Sequence, residues 1–344
     1  MMRWIFAALL LIGVHKVSTA SPWIYADDDE VPKDAIRITS LGSGTPDVHK
    51  EQVATGFLIE VGNGDKFIFD LGSGAFLNLF ATGVPPSKLD KVFLTHLHSD
   101  HLADLATLQV NAIFGRKTPL QVWGPSGESP QYGLEASIDG LRKFLAWDTL
   151  SRRRINLIGR KDDGDQLIAH EFDYSVEKQL IYSQNGVNIT STPTRLTVGD
   201  SIPANTLVEL ARGCDVFIEG IIGPLPDLDV LSWQSRFLIN TSHTTPAQAG
   251  RIFRDVGARL SVIHHADVND ASREALITET REEYPEGRLV INEDLAVYEV
   301  TKDAIRHRKR IVPVRSWGKF ERAEWARRDD APSGQAHKSL SSAA

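Results

Sequence analysis

The segment Thr95-His-Leu-His-Ser-Asp-His-Leu-Ala-Asp104 places His96, His98, Asp100 and His101 within six residues. All four are side chains that bind divalent metal ions, and they follow a short apolar run, Lys91 to Thr95. An irregular turn after a strand can aim His96 and His98 at one ion while Asp100 and His101, on the other side of the turn, reach a second. Imidazole and carboxylate without thiolate suit Zn²⁺, with Mn²⁺ or Fe as further options. Two such ions lower the pKa of bound water and stabilise negative charge developing on a substrate, which is the chemistry of hydrolysis.

The remaining composition leaves the field to imidazole. The 344 residues include 11 His, one Cys and two Met, which excludes disulfides and thiolate-rich zinc or iron-sulfur sites. Gly42 and Gly44, in Leu41-Gly-Ser-Gly-Thr-Pro46, resemble a phosphate cradle only weakly, since no helix with a P-loop lysine follows. At 42% hydrophobic and 24% charged, the chain is not collagen-like, coiled-coil or wholly disordered. A net charge of -7 without a long basic stripe in the central part means that nucleic acid is not an expected partner.

A framework must hold these ligands, and between Ala35 and Val300 short apolar runs alternate with helix-like stretches. Length, β-branching and bounding Gly or Pro predict strands at Ile36 to Leu41, Gly56 to Val61, Lys66 to Asp70, Lys91 to Thr95 and Leu120 to Trp123. Later strands are predicted at Val187 to Thr190, Asp215 to Ile218, Leu260 to His264, Leu289 to Asn292 and Val297 to Val300. Helical periodicity covers Asp104 to Phe114, Leu134 to Trp147, Thr245 to Val256 and Ala271 to Tyr284, with Ser242 or Thr244 available to cap the third. This order describes a layered α/β protein with strands buried on one face.

The ends differ from this middle. Residues 1–20 carry Arg3, an apolar run from Trp4 to Val14 and small residues at Ser18 and Ala20, the pattern of a secretory signal peptide. The apolar run is too short to cross a bilayer of about 30 Å, so no stable membrane insertion is expected after cleavage. Cleavage would remove Arg3 and Lys16 and leave an acidic protein, secreted or periplasmic. Residues 21–34 read as an acidic linker, and residues 301–344 as a tail that begins with the basic cluster Arg306 to Arg310 and ends in small polar residues.

His-x-His-x-Asp-His after a strand resembles the signature of the metallo-β-lactamase superfamily. Leu41-Gly-Ser-Gly-Thr-Pro46, Phe69-Asp-Leu-Gly-Ser-Gly74 and Gly199-Asp-Ser201 are similar to motifs of its ribonuclease Z and arylsulfatase branch. The resemblance spans residues 35–300 and implies an αββα sandwich with a binuclear metal site at one edge of two sheets. It also implies the ligand set: His96 and His98 on the first ion, Asp100, His101 and His264 on the second, and Asp200 bridging both. Asp70 would orient a ligating imidazole from behind. His265, next to His264, keeps a rival claim to that ligand role. His243, in Ser242-His-Thr-Thr-Pro246, resembles a second histidine motif whose imidazole lies near substrate and donates to a developing oxyanion. Asp100 and His243 are accordingly the expected catalytic residues.

The family pattern also requires a third histidine for the first ion, and here the sequence departs from it. Only His170 lies between His101 and Asp200, ahead of the strand that should precede the ligand. Val187-Asn-Ile-Thr-Ser-Thr-Pro193 runs directly into Thr194-Arg-Leu-Thr-Val-Gly-Asp200, as though a strand pair and a His-bearing loop of roughly 20 residues were absent near residues 193–195. His96, His98, Asp200 and hydroxide would still give the first ion four donors, at reduced affinity. The implied function is an exported Zn²⁺-dependent hydrolase that uses a metal-bound hydroxide on a small-molecule ester, an aryl sulfate or phosphodiester. The alternative is an inactive or impaired member of the fold. Export argues against transfer-RNA processing.

Overall fold

The computed structural model describes residues 30–111, 115–154, 162–194, 205–223, 243–310 and 312. In chain order the strands are β1 (Ile36–Gly42), β2 (Gly56–Val61), β3 (Lys66–Leu71), β4 (Lys91–Phe93), β5 (Leu120–Pro125), β6 (Leu167–Phe172), β7 (Gln179–Gln184), β8 (Val187–Ser191), β9 (Val216–Gly220), β10 (Leu260–His264), β11 (Leu289–Ile291), β12 (Ala296–Val300) and β13 (Ile305–Lys309). The helices are α1 (Ala75–Ala81), α2 (Ser99–Leu102), α3 (Leu105–Val110), α4 (Leu134–Phe144), α5 (Ala146–Arg154), α6 (Asn205–Ala211), α7 (Pro246–Val256) and α8 (Asp270–Glu283).

One sheet has eight strands in the order β13-β12-β1-β2-β3-β4-β5-β6. Its first half is antiparallel, and β3 to β6 are parallel. Parallel neighbours need crossovers, and α1 to α5 lie in those connections. They cover one face, where Leu79, Leu108 and Ile138 pack on Leu58, Ile68, Val92 and Val122. A second sheet, β11-β10-β9, is parallel throughout. Its outer face carries α7 and α8, with Phe253 and Leu276 packed on Phe217 and Ile263. Between the sheets, Leu260 and Val262 meet Ile38, Tyr298 and Val300. β10 is buried along its whole length because both of its faces are covered. The layers run helix, sheet, sheet, helix, as the αββα expectation requires.

The inner face of the large sheet carries a second apolar patch. Ile38 and Ile59 are register partners, so they share that face, and beyond Ile59 it bears Phe67, Phe69, Phe93 and Trp123. Cross-strand neighbours stack in a ladder: Phe69 on Phe93 at 5.2 Å, Phe93 on Trp123 at 4.6 Å and Trp123 on His170 at 4.4 Å between ring centroids. The β7–β8 hairpin lies over this ladder through Tyr182, Val187 and Ile189. Its Asn185-Gly186 turn has positive φ at both residues, as a two-residue hairpin of matching twist requires.

Several elements differ from the sequence reading for identifiable reasons. The helix expected over Leu134 to Trp147 breaks at Leu145 into α4 and α5. Asp104 divides α2 from α3, because its amide donates to Leu71 O and its carboxylate accepts from the Phe76 amide. Thr245, rather than Ser242 or Thr244, caps α7 through a reciprocal capping box with Gln248, followed by Pro246. Ile305–Lys309, assigned by sequence to a basic tail, is the edge strand β13; it pairs with β12, and Arg308 meets Glu299 at 2.7 Å. Basic side chains on such an edge discourage pairing with other chains. The expected signal peptide and, at the junction near residues 193–195, Arg195 lie outside the described residues. Among those residues no helix is long and apolar enough to cross a membrane.

Candidate metal centre

The site begins where β3 stops. Asp70 adopts a left-handed backbone (φ 55°) and is buried, a conformation that disfavours a residue with a Cβ unless its surroundings hold it there. Here they do: its Oδ1 accepts from the Thr95 amide at 2.8 Å, and its Oδ2 accepts from the Thr95 hydroxyl at 2.8 Å. The same Oδ2 lies 2.9 Å from His101 Nδ1. Asp70 thus ties the end of β3 to the turn after β4. With the proton of His101 on Nδ1 facing a carboxylate, Nε2 is left to act as a ligand.

The four-residue helix α2 turns Asp100 and His101 inward, and both are buried. The third member comes from the other sheet. β10 ends at His264, and the next residue, His265, enters the left-handed region at φ 54° with its amide donating to Ser43 O at 3.1 Å. That turn brings His265 Nε2 to 3.0 Å from Asp100 Oδ2, while His101 Nε2 lies 3.3 Å from the same oxygen. The ligand atoms of Asp100, His101 and His265 all lie within 4.8 Å of one another. Two imidazoles and a carboxylate converging in a buried place are the donor set that a Zn²⁺ or similar divalent ion takes, so these residues fit the metal that the family implies.

Charge reinforces the grouping. Burial by itself would raise the Asp100 carboxyl, but hydrogen bonds and charges from His101 and His265 outweigh it and hold the group well below the carboxylate range. Burial pulls His101 downward, yet the Asp70 charge and the hydrogen bonds to Asp100 and Asp70 prevail and lift it to about 10, so that without a metal both ring nitrogens carry protons and a cation binding at Nε2 would displace that one.

His264 faces elsewhere. Its Nδ1 accepts from Asn292 Nδ2 at 3.0 Å, and its ring lies 4.7 Å from that of Phe57. Asn292 is fixed in turn by the Tyr298 hydroxyl at 2.9 Å and by Ser40 Oγ at 2.9 Å. Successive residues at a strand end point to opposite faces, so only one of the two neighbours can meet Asp100. Of the two histidines that the sequence left as rivals, the geometry brings His265 and not His264 to Asp100, while the His264 Nε2 is buried without a hydrogen-bond partner. Burial, with the nearby charges of His265 and His101, keeps His264 neutral.

His96 and His98 lie beside this group: His96 Nε2 is 3.1 Å from His98 Nδ1, and the His96 ring centroid is 3.9 Å from that of His101. His243 is half-buried, with its ring 6.3 Å from that of His265. Behind it, the Thr244 hydroxyl donates to Glu219 Oε1 at 3.0 Å. Glu219 is fully enclosed; burial pushes its carboxyl up to about 8 despite that hydrogen bond. Sequence reading passed over Glu219, whose signal is a lone acid in the apolar strand Val216-Phe-Ile-Glu-Gly220. His170 is no substitute for the missing histidine: it stacks on Trp123, and its Nε2 lies 3.1 Å from Gln121 Oε1. Asp200 lies outside the described residues.

Comparison with known proteins places this geometry in context. Residues 51–173 match the metallo-beta-lactamase superfamily. Ribonuclease Z of Mycobacterium sp. (strain KMS) is 26% identical over 262 residues, covering 67% of this chain and 84% of that protein. Among solved structures, the metallo-beta-lactamase fold protein YhfI from Bacillus subtilis superposes with a TM-score of 0.57 at 19% identity, over 78% of this chain and all of that one. Human tRNase Z, short form, gives 0.53 at 16% identity, over 76% and 98% of the two chains.

These relatives correct two expectations. Nucleic acid was discounted from overall charge, yet proteins matching two thirds of the chain are ribonucleases; a net charge averages over the whole surface and says little about one face of it. The secreted or periplasmic destination falls on the same finding, because it was read from residues 1–20 alone and the relatives are named for action on RNA. The matched segment holds Asp70 and the whole run from His96 to His101, and the described elements follow the same fold: residues 51–173 match the metallo-beta-lactamase superfamily, and the chain has the metallo-beta-lactamase fold.

Proposed function

We propose that this metallo-β-lactamase-fold hydrolase is a metal-dependent phosphodiesterase that cleaves RNA. The observation that carries the reading is the buried convergence of Asp100, His101 and His265 in a chain whose matching relatives are named ribonuclease Z. Asp100, His101 and His265 would hold one divalent ion, and His96 and His98 supply nitrogens beside it for a second. Such ions provide Lewis-acid stabilisation of a phosphoryl oxygen and acidify bound water.

The chain's own groups do the rest. Asp70 holds His101 in the tautomer that exposes Nε2. His243, at the rim of the group, donates a hydrogen bond to oxygen as charge develops there. Glu219, uncharged near neutral pH, anchors Thr244 and through it the position of His243.

The test is a substrate panel with metal-stripped protein reloaded with Zn²⁺ or Mn²⁺. An RNA hairpin with a 3′ extension and bis(p-nitrophenyl) phosphate should both be cleaved, and an aryl sulfate should not. His101→Ala should lower the rates on the order of 100-fold or more. Cleavage of the aryl sulfate alone, or no metal-dependent cleavage of any substrate, would overturn the reading.

A further inference from the structure

His265 stands on a strained turn, and one side chain from the opposite sheet braces it. Gln52 belongs to the loop joining β1 to β2. Its Nε2 donates to Ala266 O at 2.8 Å and to Ser43 Oγ at 3.2 Å, while its Oε1 accepts from the Val268 amide at 3.1 Å. A carbonyl on one end and an N–H on the other leave a single consistent orientation of the amide. Ser43 is also the residue whose carbonyl accepts from the His265 amide. Ser43 in turn is pinned by Asp294, whose Oδ1 accepts from the Ser43 amide at 2.9 Å and from its hydroxyl at 2.8 Å. The other carboxylate oxygen of Asp294 accepts from the Val53 amide at 2.9 Å, fixing the residue after Gln52.

We propose that Gln52 is a positioning residue for the metal group: it sets the left-handed turn of His265 and so holds that ligand's Nε2 against Asp100. The inference rests on the proposed metal site and deepens it. Without the bridge, the turn at residues 265–268 loses hydrogen bonds on both sides of Asp267. The non-glycine φ of 54° at His265 then has less to sustain it. A ligand free to relax to an ordinary backbone carries its imidazole away from Asp100. Groups that orient ligands without touching the ion typically change metal affinity about 10- to 100-fold.

Gln52→Met keeps the length of the side chain and removes all three hydrogen bonds, whereas Gln52→Glu keeps only the acceptor for the Val268 amide. Thr55→Val serves as the comparison, since it removes a hydrogen bond within the same loop, Thr55 Oγ1 to Gly44 O at 3.0 Å, without touching the turn. Zn²⁺ affinity is read by chelator competition, and hydrogen exchange is followed at the Val268 amide. Gln52→Met should bind Zn²⁺ about tenfold more weakly and exchange faster at Val268. Gln52→Glu should lose affinity while keeping slow exchange at Val268, and Thr55→Val should keep wild-type affinity even if its melting temperature falls. Unchanged affinity in Gln52→Met, or an equal loss in Thr55→Val, would overturn the proposal while leaving the metal site intact. Wild-type protein that binds no Zn²⁺ would overturn both.

Discussion

At the scale of single residues, the metal group depends on the side chains that hold its ligands in place. Asp70 is the best placed supporting group, since it meets both His101 and Thr95. Asp70→Asn should weaken Zn²⁺ binding about 10- to 100-fold, measured by competition titration; an unchanged affinity would remove Asp70 from the site. Glu219 makes a prediction through pH. Its carboxyl ionises near 4.5 in the unfolded chain but near 8 in the folded one. Between those values the unfolded chain has released a proton that the folded chain retains, so stability falls as pH rises from 4.5 to 8. The slope from this one group is on the order of 1 kcal/mol per pH unit. Glu219→Gln should flatten that part of a urea-denaturation profile and make the variant more stable than wild type at pH 8. The sequence announced His96, His98, Asp100 and His101 by spacing alone, because consecutive ligands on one turn leave a local pattern. It could not choose between His264 and His265: that choice depends on a left-handed residue just past the strand end, which composition does not reveal.

At the scale of elements, the regular and buried parts were legible and the polar edges were not. Gly56–Val61 and Leu260–His264 match their predicted strands residue for residue, since each is apolar and bounded by turn residues. β6, β7 and β13 escaped notice because half-exposed strands such as Gln179–Gln184 carry little alternation and edge strands favour charge. Two predictions belong here. The Tyr182 hydroxyl is buried without a hydrogen-bond partner, while its ring meets Phe67, Phe93 and Trp123 edge-on. Tyr182→Phe should therefore be neutral or stabilise the protein by up to about 1 kcal/mol in urea unfolding; a loss of that size would reveal an unrecognised partner. Thr245→Ala removes the capping box of α7 and should cost about 1 kcal/mol. A loss near zero in the same assay would mean that packing of Phe253 alone fixes the start of the helix.

At the scale of the molecule, the site exists only because two sheets meet. Asp70, Asp100 and His101 come from the eight-stranded sheet and its crossovers, and His265 from the end of the three-stranded one. The order of elements disclosed only a layered α/β protein; the helix-sheet-sheet-helix sandwich, with its site at one edge of two sheets, came from the family resemblance, because element order does not say which strands share a sheet. The most direct test compares the two neighbouring histidines. Zn²⁺ affinity is measured by chelator competition on His265→Gln and His264→Gln, the latter keeping an acceptor for Asn292. The account predicts a loss on the order of 100-fold or more for His265→Gln and a change of no more than a few-fold for His264→Gln. The reverse order would contradict it.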